Sequence, residues 1–169
     1  MNQGTFLKMV QPFQDKLYRL AKRLLVSTEE AEDATQEVLM KLWSNKTKIS
    51  SYKNVEAFAM TMTKNYCYDR LKSKQASNLK IVHSNYKDNS ASLQKQVENK
   101  DSLDWVKQLM QELPEQQRII LQLRDVEQYE FAEIAKVLDM KETAVRVNLS
   151  RARKTIKEKL IKKHNYGVS

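Results

Sequence analysis

The sequence predicts an all-α protein of two small helical domains joined by a flexible linker. Three observations carry that expectation. The 169 residues include only two Gly and two Pro, too few for the turns of a many-stranded sandwich or barrel. Apolar residues recur every three or four positions in both halves, the period of an amphipathic helix. A polar stretch separates the halves: residues 75–100 hold four Ser, four Asn, three Gln and four Lys. Such a stretch buries too little apolar surface to offset its ordering entropy. The expected division is residues 1–74, a linker over 75–100, and residues 101–169.

The elements follow in order. Phe6, Val10, Phe13, Leu17, Leu20, Ala21 and Leu24 make one helical stripe. A second helix should begin at Ser27, which forms a capping box with Glu30, while Glu29, Glu32 and Asp33 suit a positive helix N-terminus. Its inner side carries Ala31, Ala34, Val38, Leu42 and Trp43. Residues 44–54 are polar and read as a loop. A third helix runs from about Val55 past Leu71, with Phe58, Ala59, Met62 and Tyr66 inward. In the second half, Trp105, Leu109 and Leu113 mark a helix ending before Pro114, which suits the first position of the next helix. Ile119, Ile120 and Leu123 continue that helix. Phe131, Ile134, Ala135 and Leu138 mark a short helix, Asp139, Met140 and Lys141 a turn, and Val145, Leu149, Ala152, Ile156 and Leu160 a long last helix.

Composition narrows the function. Gly4 and Gly167 sit at opposite ends, which excludes a phosphate-cradling glycine loop. Cys67 is the only cysteine, and His83 and His164 lack zinc-ligand spacing. No cofactor or metal is expected. No apolar run is long enough for a signal peptide or a membrane span, so the cytoplasm is the expected compartment and no membrane insertion is expected. The 30 Lys and Arg against 21 Asp and Glu give a net charge of +9, which favours an acidic polymer as partner.

The strongest motif spans residues 130–154. A short helix, a three-residue turn and a second helix with a basic outer face follow helix-turn-helix grammar, in which the second helix enters the major groove. Residues 146–163 hold eight Lys and Arg against Glu158 alone, whereas residues 101–145 hold five basic and ten acidic residues. The expected DNA-facing set is Lys141, Thr143, Arg146, Val147, Asn148, Ser150, Arg151, Arg153 and Lys154. Arg reads guanine edges, Asn reads adenine, and Lys mostly meets phosphate. The simpler alternative is a solvated basic helix end that complements the helix dipole.

Leu113–Pro114–Glu115–Gln116–Gln117–Arg118, Phe131–Ala132–Glu133–Ile134–Ala135 and Ser150–Arg151–Ala152–Arg153 resemble the C-terminal domain of sigma-70 family factors. The resemblance is to the short extracytoplasmic-function (ECF) type, which keeps two domains. Ala31 to Val38, then Lys41–Leu42–Trp43, is similar to that group's helix for docking on RNA polymerase core. Asn54 to Leu71, with Ala57, Phe58, Asn65, Asp69 and Arg70, is similar to the part that reads and melts the promoter −10 element.

The resemblance implies a sigma2-like bundle, a sigma4-like helix-turn-helix domain whose DNA-facing set, from Lys141 to Lys154 as given above, reads −35 duplex, and a transcription initiation role without catalysis. It implies core docking on the β′ clamp through Asp33, Gln36, Glu37, Leu39 and Met40, a second contact on the β flap, and promoter DNA as partner. Lys48, Ser51, Tyr52, Lys53, Asn54, Lys64, Asn65 and Arg70 are the expected −10 set: basic residues track the backbone, and a pocket holds an extruded base. For Phe58 and Tyr66, core packing is the favoured reading. An anti-sigma protein is a further partner that the resemblance allows.

The chain departs from the family pattern where Gly and Ser or Thr usually precede the short helix, having Gln128, Tyr129 and Glu130, and where Lys141 replaces a Ser or Thr cap. Each missing cap oxygen costs on the order of 1 kcal/mol. A linker of 26 residues extends at most ~88 Å, enough to span promoter elements about two DNA turns, or ~70 Å, apart. Two other readings compete. A helix-turn-helix regulator acting without polymerase core would bind DNA alone, usually as a symmetric dimer. A helical hydrolase would have to use Glu29, Glu32, Asp33 and Glu37, which lack an accompanying His and fit a capping role.

Overall fold

The computed structural model describes residues 1–81 and 102–167, with side chains over 1–75 and 104–163. Among the described residues all regular structure is helical. Four helices form the first half: α1 (Gln3–Leu25), α2 (Thr28–Ser44), α3 (Lys46–Ile49) and α4 (Val55–Ile81). The second half contains α5 (Ser102–Gln111), α6 (Glu115–Leu121) widening into a π turn (Gln122–Val126), α7 (Phe131–Leu138) and α8 (Glu142–Gly167). Residues 82–100 of the expected linker lie outside the described residues, and its first residues, 75–81, continue α4.

The apolar stripe of α1 is buried at every position named from spacing. It packs on α2 and α4. Asn2 caps α1 by accepting the Thr5 N–H at 2.8 Å. Between α1 and α2 the chain turns at Val26, with φ 69°, and the Ser27 N–H donates to the Leu25 carbonyl at 2.8 Å. This is a tight three-residue turn built on a β-branched residue, an uncommon and strained choice. Ser27 caps α2 as expected, its hydroxyl accepting the Glu30 N–H at 3.3 Å. Glu30 does not complete the box. Its carboxylate crosses to α4, where it pairs with Arg70 at 3.6 Å and with Lys74.

Three expectations need correction. The polar stretch 44–54 is not all loop, because α3 makes one helical turn within it and buries Ile49 completely. The inner stripe of α4 is Ala59, Met60, Thr63 and Cys67, while Phe58, Met62 and Tyr66 are half-buried beside it. Pro114 is the residue before α6 rather than its first, with φ −53° and ψ 146°.

In the second half, Ile119, Ile120, Leu123, Ile134, Val145 and Ala152 are fully buried, as spacing predicts. Asp139 ends α7 in the left-handed conformation, φ 52°, and starts the short turn into α8. Glu130 precedes α7 without a side-chain capping bond, in line with its missing hydroxyl. The main finding beyond the sequence is that the two halves pack together. α4 lies on α7, and α1 lies on α6 and the π turn, so one apolar cluster runs from Phe6 to Ala152.

Candidate promoter and polymerase interfaces

The outer face of α8 follows from its buried one. Val145, Leu149 and Ala152 are at most 2% exposed, and at 3.6 residues per turn the opposite face carries Thr143, Val147, Ser150, Arg151 and Lys154. All five are exposed, as are Lys141 and Arg146. Phe131, the first residue of α7, holds this face in place. The guanidinium groups of Arg124 and Arg146 both stack on its ring, at 4.3 and 4.2 Å, and Arg146 also pairs with Glu142 at 3.1 Å.

Two residues of the expected −35 set stand apart. Asn148 is half-buried and donates to the Ala144 carbonyl of its own helix at 2.8 Å. Arg153 grips Asp125 with both arms, its Nε donating to Oδ2 at 3.1 Å and Nη2 to Oδ1 at 2.5 Å. Arg153 thereby lines a cavity of about 400 Å³ on the flank of α8. Val106, Met110, Leu121, Val126, Ile156 and Leu160 form most of its wall. Val126, Leu160 and Ile161 are large apolar residues left exposed there. Sequence reasoning missed this groove. Its one legible signal was that the stripe of α8 runs on through Leu160, past the length the short α7 can cover.

On α2, Asp33, Gln36 and Met40 are exposed, and Met40 is 65% so. Glu37 and Leu39 are half-buried, and Glu37 reaches Lys41 at 3.9 Å, one turn along. Asp33, Gln36, Glu37 and Met40 form a mixed acidic and apolar strip on the side of α2 away from Ala31, Ala34, Val38 and Leu42, and Leu39 packs against the core at its edge.

The −10 candidates divide in three. Lys48, Ser51, Tyr52 and Lys53 are exposed around α3, held by Ile49 beneath them. The Tyr52 ring meets Phe58 edge-on, 5.0 Å between centroids, so half-buried Phe58 is the wall against which Tyr52 rests. Asn54 is exposed, but its Oδ1 accepts the Ala57 N–H at 2.9 Å and caps α4. Asn65 and Arg70 are exposed further along α4, Arg70 in contact with Glu30. Lys64 is not with them. It is 9% exposed, and its ammonium donates to the Val137 carbonyl of α7 at 2.9 Å. Burial lowers its pKa, partly offset by the Asp139 carboxylate.

Cys67 is fully buried, and burial together with the Glu30 charge pushes its thiol up to about 12. A neutral thiol there is a packing group, since reactivity belongs to the thiolate. Among the described residues no group of three or more His, Cys, Asp or Glu is placed to hold a metal, and no helix is long and apolar enough to cross a membrane.

Comparison with known proteins identifies both halves. Residues 9–77 match the family model for sigma-70 region 2, and residues 103–156 match that for sigma-70 region 4. The chain is 20% identical to the ECF RNA polymerase sigma factor SigW of Bacillus subtilis, over 94% of this chain and 90% of that protein. It is 29% identical to the ECF sigma factor SigK of Mycobacterium tuberculosis, over 48% of this chain and 44% of that one. The fold is similar to the sigma factor RpoE of Bartonella quintana, solved with the anti-sigma factor NepR, at a TM-score of 0.76 and 19% identity, covering 92% of this chain and 96% of that one. It is also similar to CnrH, solved with the cytosolic domain of CnrY, at a TM-score of 0.67 and 18% identity over 94% and 89% of the two chains. With regions 2 and 4 in order on an all-helical frame, the chain belongs to the sigma-70 family, as a transcription initiation factor of the ECF group.

Proposed function

We propose that the chain docks on RNA polymerase core through α2, reads −35 duplex with α8, and captures −10 DNA with the segment around α3. The observation that carries this reading is the outer face of α8. The five outward residues Thr143, Val147, Ser150, Arg151 and Lys154 are exposed, the flanking Arg146 is stacked in place, and the opposite face is locked in the core. A helix so fixed can lie in a major groove with its N-terminal half on base edges. Arg146 and Arg151 are the base readers; Thr143, Ser150 and Lys154 meet phosphates.

On α2, Asp33, Gln36 and Glu37 supply a polar strip for a basic partner helix, with Leu39 and Met40 adding apolar contact. That partner is the β′ clamp. The groove beside Arg153 accepts a second apolar segment, and the β flap is the occupant this reading assigns. On the −10 side, Tyr52 stacks an unpaired base while Lys48 and Lys53 hold the strand. Opposing an anti-sigma partner to these same surfaces fits the relatives solved with NepR and CnrY. The chain works in the cytoplasm and does no chemistry of its own.

Reconstituted transcription with core polymerase and a promoter library tests the reading. Transcripts should arise only with chain and core together, from templates sharing one upstream and one downstream motif. Binding of the chain alone to a palindrome, with no effect on core, would favour the independent regulator instead.

A further inference from the structure

We infer that Phe131 is a positioning residue for Arg146, and that its ring sets how strictly the chain specifies one base pair of the −35 duplex. This deepens, and rests on, the reading of that duplex by Arg146 proposed above. Four side chains of α8 have the chemistry to read a base edge: Arg146, Asn148, Arg151 and Arg153. Two of them are already engaged, since Asn148 donates to the Ala144 carbonyl and Arg153 is held by Asp125. Arg146 and Arg151 are left, and their surroundings differ.

Arg146 belongs to a connected series of charges built on one ring. The centre of the Phe131 ring is 4.2 Å from the Arg146 guanidinium and 4.3 Å from that of Arg124. Each arginine brings a carboxylate. Glu142 Oε1 accepts from Arg146 Nη2 at 3.1 Å, and Glu130 lies 3.9 Å from Arg124 Nη1. Arg124 Nη1 also donates to the Tyr129 carbonyl at 2.8 Å, which ties that end of the series to the backbone. The ring itself is half-buried and packs against the core. Two cations on one ring repel each other, and the two carboxylates offset that repulsion. Glu130 belongs to the stretch that departs from the family pattern before α7, and the series gives it a role that a capping hydroxyl could not fill.

Arg146 is left with a fixed fork. One of its five N–H groups is taken by Glu142, its plane is set by the ring, and 58% of the side chain is still exposed. An arginine held in this way gives up little rotamer freedom on binding. A fork in a fixed plane matches O6 and N7 of one guanine and meets other base edges badly. Among the described residues the Arg151 side chain makes no hydrogen bond, ion pair or ring contact. It is ordered only by the DNA, at a cost in rotamer freedom. Phe131 therefore separates the two readers, acting on the base pair of Arg146 and not on that of Arg151.

Holoenzyme assembled from the full chain and core polymerase is bound to promoter DNA in which each −35 base pair is varied in turn, and the affinity ratio is read at every position. Partial unfolding scales every sequence alike, so the ratios report positioning and not stability. Arg146→Ala locates the base pair that Arg146 reads, with about a tenfold loss of discrimination there. Phe131→Leu keeps an apolar side chain against the core and removes the ring. It should lower discrimination at that same pair by about two- to fivefold, the weight of one exposed cation–π contact, and leave the pair that Arg151→Ala relaxes at its wild-type ratio. Phe131→Tyr should restore the wild-type profile, and in the Arg146→Ala background Phe131→Leu should change no ratio. A uniform fall in affinity across all sequences with Phe131→Leu, or an unchanged profile, would overturn the positioning role while Arg146→Ala still flattens its pair. If Arg146→Ala itself flattens no base pair, the reading of −35 DNA by Arg146 fails, and the positioning role with it.

Discussion

Replacing Ile49 with Ala tests how the −10 segment is held. Ile49 is fully buried and is the only buried residue of α3. Its carbonyl accepts the Tyr52 N–H at 3.0 Å, so the side chain that enters the core and the residue proposed to stack a base are joined by one turn of backbone. The change removes three carbons, worth about 2.4 kcal/mol at ~0.8 per buried methylene. The cavity left behind brings the expected cost to roughly 2–5 kcal/mol. For a chain of this size that lowers Tm by about 5–15 °C. Thermal unfolding followed by circular dichroism measures it, with single-stranded −10 DNA binding read below the transition. The control is Tyr52→Ala, exposed and in contact with Phe58, which should leave Tm within about 2 °C while losing ~1–3 kcal/mol of stacking. Ile49→Ala should lose both stability and affinity. A cost under about 1 kcal/mol, or a stability loss with wild-type DNA binding, would refute the idea that Ile49 anchors the capture loop.

Four further outcomes follow from the same geometry. Asp33→Arg with Glu37→Arg should abolish pull-down of core polymerase while stability changes by less than about 1 kcal/mol, because the Glu37–Lys41 pair is exposed and weak. Arg151→Ala should cost ~1–3 kcal/mol of discrimination at one −35 base pair in a competition gel shift, whereas Arg153→Ala should mainly weaken the proposed flap contact, since Arg153 is held by Asp125 beside the groove. Val26→Gly should raise stability by about 1 kcal/mol in denaturant titration: relief of roughly 1–3 kcal/mol of backbone strain outweighs the added freedom of the unfolded chain. Alkaline titration should destabilise the fold through Cys67 and Tyr68, both pushed up to about 12. Their unfolded forms give up protons from about pH 9 to 10 while the folded forms hold them. Stability is therefore fully present below pH 9 and falls as pH rises to 12, and Cys67→Ala should flatten the thiol's share of that slope.

The helices were legible because their stripes are long and regular. α1 declared itself through seven apolar residues, each of which is buried. The outer face of α8 was legible for the same reason: fixing Val145, Leu149 and Ala152 inward leaves Arg151 and Lys154 outward. α3 was not legible, because one turn carrying a single apolar residue has no period to detect. The capping role of Asn54 was masked by a polar run in which several side chains could serve. The fate of Arg153 depended on Asp125, 28 positions away, and that of Lys64 on a backbone carbonyl of α7. Periodicity reports which face of a helix is buried, never against what. The contact between halves was hidden for that reason, although its charges, basic in residues 1–74 and acidic in 101–145, were already in the sequence.

The central claim is that one chain reads two promoter elements at once with different halves. The direct measurement is promoter-library transcription by core polymerase with the wild-type chain, with Arg151→Ala and with Tyr52→Ala, the motifs recovered by sequencing transcripts. The account predicts that Arg151→Ala relaxes only the upstream motif, Tyr52→Ala only the downstream one, and that the spacing between them stays fixed. Relaxation of both motifs by either variant, or a single palindrome that neither alters, would contradict it.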